Sequence, residues 1–309
     1  MNNHSTICIL MGTYNGQDFL AEQLLSIENQ SHKDWRLIIS DDGSTDETMA
    51  IAKAFQEKWG NDRLELRQGP NQGFCKNFLS LACDSSIKAD FYAFADQDDV
   101  WMVDKLSIAL AYFNGGNNAD VPRFYCGRTQ LVDDKLKTLG YSPLFTLPLS
   151  FRNALVQSIA GGNTMVFNQS AKELLEKAGL LNVVSHDWWV YQLIKGAGGV
   201  AFYDPEPTLL YRQHSKALVG SNSNFKAKID RIGFALNGRF KEWNCINYAA
   251  LLSVKHLLTK DNRDILFTFG KFRGAKFKDR IKLLEVRGLY RQTWQGTLSL
   301  WFAILLNKV

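Results

Sequence analysis

The sequence predicts an α/β protein: a mainly parallel sheet flanked by helices, followed by a basic helical extension. Three observations lead there. Over the first hundred residues, short apolar runs alternate with segments whose apolar residues recur at helical spacing. Each run ends in a cluster of small and polar residues. Basic charge is concentrated late, with 17 of the 36 Lys and Arg but only 6 of the 31 Asp and Glu falling in residues 225–309. The 309 residues are 46% hydrophobic and 22% charged with 6 Pro, enough apolar mass for a large core. That composition excludes a disordered chain, a collagen-like repeat and a disulfide mini-scaffold.

The elements follow in order. Residues 7–11 form a first strand, and 18–29 a helix with Phe19, Leu20, Leu24 and Ile27 on one face. Residues 35–39 form a second strand, ending in Ser40-Asp41-Asp42-Gly43-Ser44-Thr45-Asp46, a turn suited to capping the helix that runs to about Lys58. A third strand at 64–67 leads through Gly69-Pro70-Asn71-Gln72-Gly73 to a helix from Phe74. A fourth, 91–95, ends in Asp96-Gln97-Asp98-Asp99. Beyond Arg123 the spacing predicts single strands at 124–132 and 160–167, a helix at 171–178, and short strands at 200–203 and 209–211. From about Asn224 only helices and basic loops are expected, which sets a boundary near residue 220 between a first domain, 1–220, and an extension, 221–309.

In open α/β sheets ligands bind beyond the carboxyl ends of the strands, where these polar clusters lie. Asp96, Asp98 and Asp99 place three carboxylates in four residues. Mutual repulsion so close calls for a hard divalent cation, Mg²⁺ or Mn²⁺, with phosphates completing its shell; an acid-decorated helix start explains the same residues. Asp41 and Asp42 suit hydrogen bonds to a base or ribose, or simply a capped turn. Gly12-Thr13-Tyr14-Asn15-Gly16 lets backbone pass beside a nucleotide. Neither the GxGxxG fingerprint nor a P-loop is present, which removes the main support for a Rossmann dehydrogenase or a P-loop kinase.

Taken in this order, Thr13-Tyr14-Asn15, Asp41-Asp42-Gly43-Ser44-Thr45-Asp46, Asn71-x-Gly73 and Asp96-x-Asp98-Asp99 resemble family 2 glycosyltransferases of the GT-A fold over roughly residues 5–220. Asp96-Gln97-Asp98-Asp99-Val100-Trp101, His186-Asp187-Trp188-Trp189 and Tyr211-Arg212-Gln213-His214 look most like bacterial rhamnosyltransferases that build capsule, O-antigen and cell-wall polysaccharides. The resemblance implies an inverting transfer from a nucleotide sugar, dTDP-L-rhamnose above a UDP-hexose. Asp42 would contact the base, and Thr13, Tyr14, Asn15, Asp41 and Gln97 would line the nucleotide pocket. Asp96 would face the ribose, Asp98 the metal and His214 the metal or the diphosphate, and Asp187 would be the general base. Gly162 and Asn163 would floor the acceptor site, with Trp188 and Trp189 offering indole faces to a sugar; a sharp turn and plain helix packing explain these four equally. Many members carry an acidic residue before the base, where this chain has His186. No QxxRW signature of processive synthases occurs, so a single addition is expected. A non-catalytic scaffold with a degenerate transferase fold is the rival from another class.

The five cysteines are scattered with no CxxC pair, which fits a reducing compartment. No secretory signal is expected from the opening residues. Near the C-terminus, residues 298–306 are apolar but for Ser299, too short to cross a bilayer. Trp294 and Trp301 interleave with this run, and Arg280, Lys282, Arg287 and Arg291 precede it. Such a segment lies in a membrane interface, or packs its apolar side on the body. An anionic membrane surface on the cytoplasmic side and a glycan or lipid-linked glycan acceptor are therefore expected partners, and nucleic acid is not.

Overall fold

A computed structural model describes residues 5–115, 120–213, 238–271, 275–276, 278–281 and 288–309. The chain forms two compact units: Met1–Pro143 with Ala160–Leu180 and Val200–Ser221, and Leu144–Ile159 with Leu181–Gly199 and Asn222–Val309. The join near residue 220 lies outside the described residues.

The first unit is built from β1 (Ile7–Thr13), α1 (Leu20–Glu28), β2 (Trp35–Asp41), α2 (Thr48–Trp59), β3 (Leu64–Gln68), α3 (Phe74–Ala82) and β4 (Phe91–Ala95). It continues through β5 (Val100–Trp101), α4 (Lys105–Asn114), β6 (Arg123–Gly127), β7 (Gln130–Val132) and β8 (Thr138–Tyr141). The second unit's α5 (Phe151–Ala154) intervenes before β9 (Val166–Asn168) and α6 (Gln169–Ala178). After the second unit's α7 (His186–Gly196), the first unit closes with β10 (Val200–Asp204) and β11 (Leu209–Arg212).

Seven strands form the main sheet in the order β10-β6-β9-β4-β1-β2-β3, and only β9 runs antiparallel to its neighbours. Ile7, Ile9 and Met11 on one face of β1 and Cys8 and Leu10 on the other are all buried, as are Leu37, Ile38 and Ile39 of β2, as expected of strands covered on both faces. Register sets Thr13 beside Asp41 and Asp41 beside Gln68, so the carboxyl ends of β1, β2 and β3 share one edge. Met11 pairs with Ala95, which brings the end of β4 to the same edge. Strand order reverses between β1 and β4, and the loops after these two strands flank the crevice where such sheets bind ligands.

Two expected strands resolve differently. Residues 124–132 form not one strand but two, β6 in the main sheet and β7 in a second sheet of order β5-β11-β7-β8. The chain changes sheets at Arg128, whose amide donates to the Asp204 carbonyl at 2.9 Å. Within 160–167 only the end is strand, because Gly162–Thr164 makes a 3-10 turn first.

In the second unit, the helix Arg239–Ser253 and the C-terminal helix Trp294–Leu305 accompany α5 and α7. The hydroxyl of Thr293 caps the C-terminal helix by accepting from the Gly296 amide at 3.1 Å. Leu300, Ala303 and Ile304 are buried, whereas Trp294, Leu298, Trp301, Phe302 and Leu306 are exposed, Trp294 by 69% and Phe302 by 65%. Among the described residues no helix is long and apolar enough to cross a membrane.

Candidate active site

The loops after β1 and β2 are built from one another. Thr13 donates its hydroxyl to Asp41 Oδ1 at 2.9 Å, and Ser44 donates to the same oxygen at 2.6 Å. Asp41 Oδ2 accepts from the Gly43 and Ser44 amides at 3.2 and 2.8 Å. The buried Asp41 carboxylate is thus committed to the shape of its own turn. Gly43 sits at φ +92, and a Cβ there would stand 2.5 Å from the Asn71 amide oxygen. Asp42 accepts from the Gln72 and Gly73 amides at 3.3 and 2.7 Å, which draws the turn after β3 onto the end of β2. Asn15 is tied across the same edge: its amide donates to Ser44 Oγ at 2.9 Å and its Oδ1 accepts from the Thr45 amide at 2.8 Å. Tyr14, between these anchors, keeps 56% of its surface exposed.

Gln97 joins the β4 loop to the β1 loop across the crevice. Its Oε1 accepts from the Tyr14 amide and its Nε2 donates to the Tyr14 carbonyl, both at 2.9 Å. A Cβ at Gly16 would fall on that same side-chain amide, so the strap needs glycine there. Gln23, buried on α1, donates to the Asp96 carbonyl at 3.0 Å. Arg212, at the end of β11, donates from Nε to the Asp98 carbonyl at 3.0 Å.

The three carboxylates divide. Asp96 and Asp98 are half-buried, whereas Asp99 is fully buried. Asp99 Oδ2 accepts from Asn163 Nδ2 at 2.6 Å. Burial, with the charges of Asp96 and Asp98, raises the Asp99 carboxyl well above the usual range against that bond. Burial likewise pushes Lys105 down to about 7 against the pull of Asp99, and its ammonium lies 4.9 Å from the centroid of the Trp101 ring. Repulsion among the acids is therefore lessened by shifting the buried Asp99 carboxyl toward its neutral form. Asn163 and Gly162 are both buried in the 3-10 turn, and the Asn163 amide is engaged with Asp99.

In the second unit, Asp187 lies in the first turn of α7 and is half-buried. Its Oδ1 accepts from Ser185 Oγ at 2.5 Å and from the Trp188 amide at 2.6 Å. Of His186, Asp187, Trp188 and Trp189, only Asp187 is more than slightly accessible. The two indoles expected to face a sugar are interior: Trp188 is 5% exposed with its N–H on the Ala154 carbonyl at 2.7 Å, and Trp189 is 0% exposed. Their apolar area goes into packing α7. Burial pushes His186 down to about 4 against the charge of Asp187, so its ring is neutral near pH 7. His214 lies outside the described residues.

Residues 8–175 match the model of "Glycosyl transferase family 2", more than half of the chain. The chain belongs to that family. As a family 2 glycosyltransferase it is 32% identical over 246 residues to the dTDP-rhamnosyl transferase RfbG of Shigella flexneri, covering 75% of this chain and 81% of that one. It is also 32% identical over 116 residues to a GalNAc(5)-diNAcBac-PP-undecaprenol beta-1,3-glucosyltransferase of Campylobacter jejuni, 36% of this chain and 35% of that one. Among solved structures, S. aureus TarS 1-349 superposes with a TM-score of 0.57 at 14% identity, covering 98% of this chain and 81% of that one. The Pyrobaculum calidifontis mannosyltransferase PcManGT, solved with GDP-Man and Mn²⁺, gives 0.52 at 16% identity, over 98% and 85%. At these identities the likeness establishes the GT-A fold alone.

The residues present fit a hard divalent cation. Asp96 and Asp98 bring two carboxylates from one loop, both half-buried, whereas Asp99 is fully buried. One or two carboxylates with phosphate oxygens is the usual donor set for Mg²⁺ at a diphosphate. Among the described residues no group of three or more His, Cys, Asp or Glu forms a dedicated metal cage, which such a shared shell does not require. Residue patterns alone assign no role to Gln23, Lys105 or Arg212, although Arg212 stands within the motif Tyr211-Arg212-Gln213-His214. A charged residue ending the apolar run Leu209-Leu210-Tyr211 was the available signal for Arg212.

Proposed function

We propose that this glycosyltransferase is inverting and cation-dependent, moving L-rhamnose from dTDP-L-rhamnose onto a growing, lipid-linked bacterial surface glycan. The observation that carries the reading is the cross-strapped edge of the sheet, where the loops after β1, β2 and β4 are pinned together with Asp98 half-buried at the switch point. Similarity to the Shigella dTDP-rhamnosyl transferase over most of both chains supports the donor.

In this reading Asp42 meets the base and the exposed ring of Tyr14 closes over the nucleotide, while Thr13, Asn15, Asp41 and Gln97 hold those loops in shape. Asp96 faces the ribose. Asp98, with His214, holds the cation, which when bound neutralises charge developing on the departing diphosphate. Asp187 takes the proton of the acceptor hydroxyl as that oxygen bonds to the anomeric carbon and the bond to the diphosphate breaks. The diphosphate carries away the bonding pair, and configuration inverts. Calorimetric titration with thymidine, uridine and guanosine diphosphates in Mn²⁺ tests the nucleotide assignment: thymidine diphosphate is expected to bind at least about tenfold tighter than guanosine diphosphate, a 1.4 kcal/mol difference. A preference for guanosine diphosphate would overturn it.

The acceptor side of the reading includes attachment to the cytoplasmic face of the membrane. Trp294, Leu298, Trp301 and Phe302 recur at helical spacing along one exposed face, and interfacial helices place Trp and Phe this way beside basic residues. Deleting residues 280–309 would also remove buried Leu289, Gln292, Leu300 and Ile304, so substitution is the cleaner probe. The full chain is expected to sediment with anionic vesicles at low salt, and less so as salt rises. Serine at Trp294, Trp301 and Phe302 together should release it. A wild-type protein that stays in the supernatant at low salt would reduce this face to an ordinary helix surface.

A further inference from the structure

Arg212 is among the largest fully buried side chains of the protein, 1% exposed, yet it carries a charge. Its fork spans three separate segments. Nε donates to the Asp98 carbonyl at 3.0 Å, Nη1 to the Asp134 carbonyl at 2.7 Å, and Nη2 pairs with Glu22 on α1. The guanidinium also lies 4.5 Å from the centroid of the Phe19 ring. Glu22 keeps 47% of its side-chain surface exposed, so the ion pair is satisfied on the outer side while the inward donors are fixed on backbone.

We propose that Arg212 is a positioning residue for the Asp98 carboxylate, setting its affinity for the cation rather than touching substrate. The inference rests on Asp98 being the cation's ligand. A bond to the Asp98 carbonyl fixes the peptide plane after that residue and so restrains the direction in which its side chain leaves the backbone. Gln23 restrains Asp96 through its carbonyl, and Asn163 holds the buried Asp99. Arg212 alone among these three acts at the residue assigned to the metal. Guanidinium suits the task because its planar fork offers five N–H donors in fixed directions; an ammonium on a flexible stem cannot reach three diverging acceptors at once. Supporting partners that orient a metal ligand typically change metal affinity by about 10–100-fold when removed.

The test is Mn²⁺ affinity, read by electron paramagnetic resonance in the presence of thymidine diphosphate, for wild type, Arg212→Lys and Asp98→Asn. Nucleotide affinity without metal and the melting temperature are measured alongside. Arg212→Lys keeps the charge beside Glu22 and gives up the fork. Its Mn²⁺ affinity is expected to fall about tenfold or more, with metal-free nucleotide affinity within about twofold of wild type. Unchanged Mn²⁺ affinity in a folded Arg212→Lys, with Asp98→Asn losing it, overturns the positioning role and leaves the Asp98 assignment standing. Equal loss of metal and metal-free nucleotide binding also overturns it, since that marks a general structural role. Unchanged Mn²⁺ affinity in Asp98→Asn overturns the assignment itself and the proposal with it. Should Arg212→Lys not fold, Glu22→Gln at its half-exposed position takes its place: a smaller loss of Mn²⁺ affinity supports the role, and none overturns it.

Discussion

Asp98→Asn is expected to lower kcat/KM by about three orders of magnitude while leaving the fold intact, the combined loss of a charged ligand and of the counter-charge at the leaving group. The substitution preserves size and removes only charge. The bonds that hold this loop run to the Asp98 carbonyl from Arg212, to the Asp96 carbonyl from Gln23, and between the Gln97 side chain and the Tyr14 backbone. These bonds are all retained in the variant, so the melting temperature should move by only a few degrees, the shift that about 1 kcal/mol produces. Steady-state rates with Mn²⁺ and with chelator check the claim. Full activity of the variant in chelator would remove the cation from the mechanism.

Asp187→Asn is expected to reduce kcat by about 10²–10⁴-fold with donor affinity unchanged, the span usual for loss of a general base. The local geometry makes this an unusually clean substitution. Both bonds that orient the side chain, from Ser185 Oγ and from the Trp188 amide, fall on Oδ1. An asparagine carbonyl oxygen accepts both, and what changes is the second oxygen, which becomes an NH₂ that cannot take a proton. Presteady-state transfer together with nucleotide titration separates the two effects. Equal loss of nucleotide affinity would place Asp187 in the donor site and leave the base unassigned.

Legibility followed the range of the interactions. β1 to β4 and their loops were readable because each strand is a short run rich in apolar residues, alternating with polar ones in β3, and is punctuated by turn residues within a few positions. The split of residues 124–132 between two sheets was not, since both halves are apolar and the break depends on Asp204, distant in sequence. The burial of Asp99 depends likewise on Asn163 and on buried Lys105, neither implied by a run of acids. Trp188 and Trp189 carry no local mark that separates a core indole from a sugar platform, and packing decided for the core. The interleaving of Leu144–Ile159 and Leu181–Gly199 with the C-terminal segment leaves no compositional trace. Arg212 shows the same limit at the level of one side chain, because its three partners come from three segments.

The central claim, transfer of L-rhamnose from dTDP-L-rhamnose, is tested most directly by nucleoside diphosphate release. The purified chain is incubated with Mn²⁺, a lipid-linked glycan extract as acceptor, and dTDP-L-rhamnose, UDP-glucose, UDP-GlcNAc or GDP-mannose in turn. Release above background is predicted with dTDP-L-rhamnose, dependent on the acceptor and lost in Asp187→Asn. Release from one of the other donors alone, with none from dTDP-L-rhamnose, would contradict it.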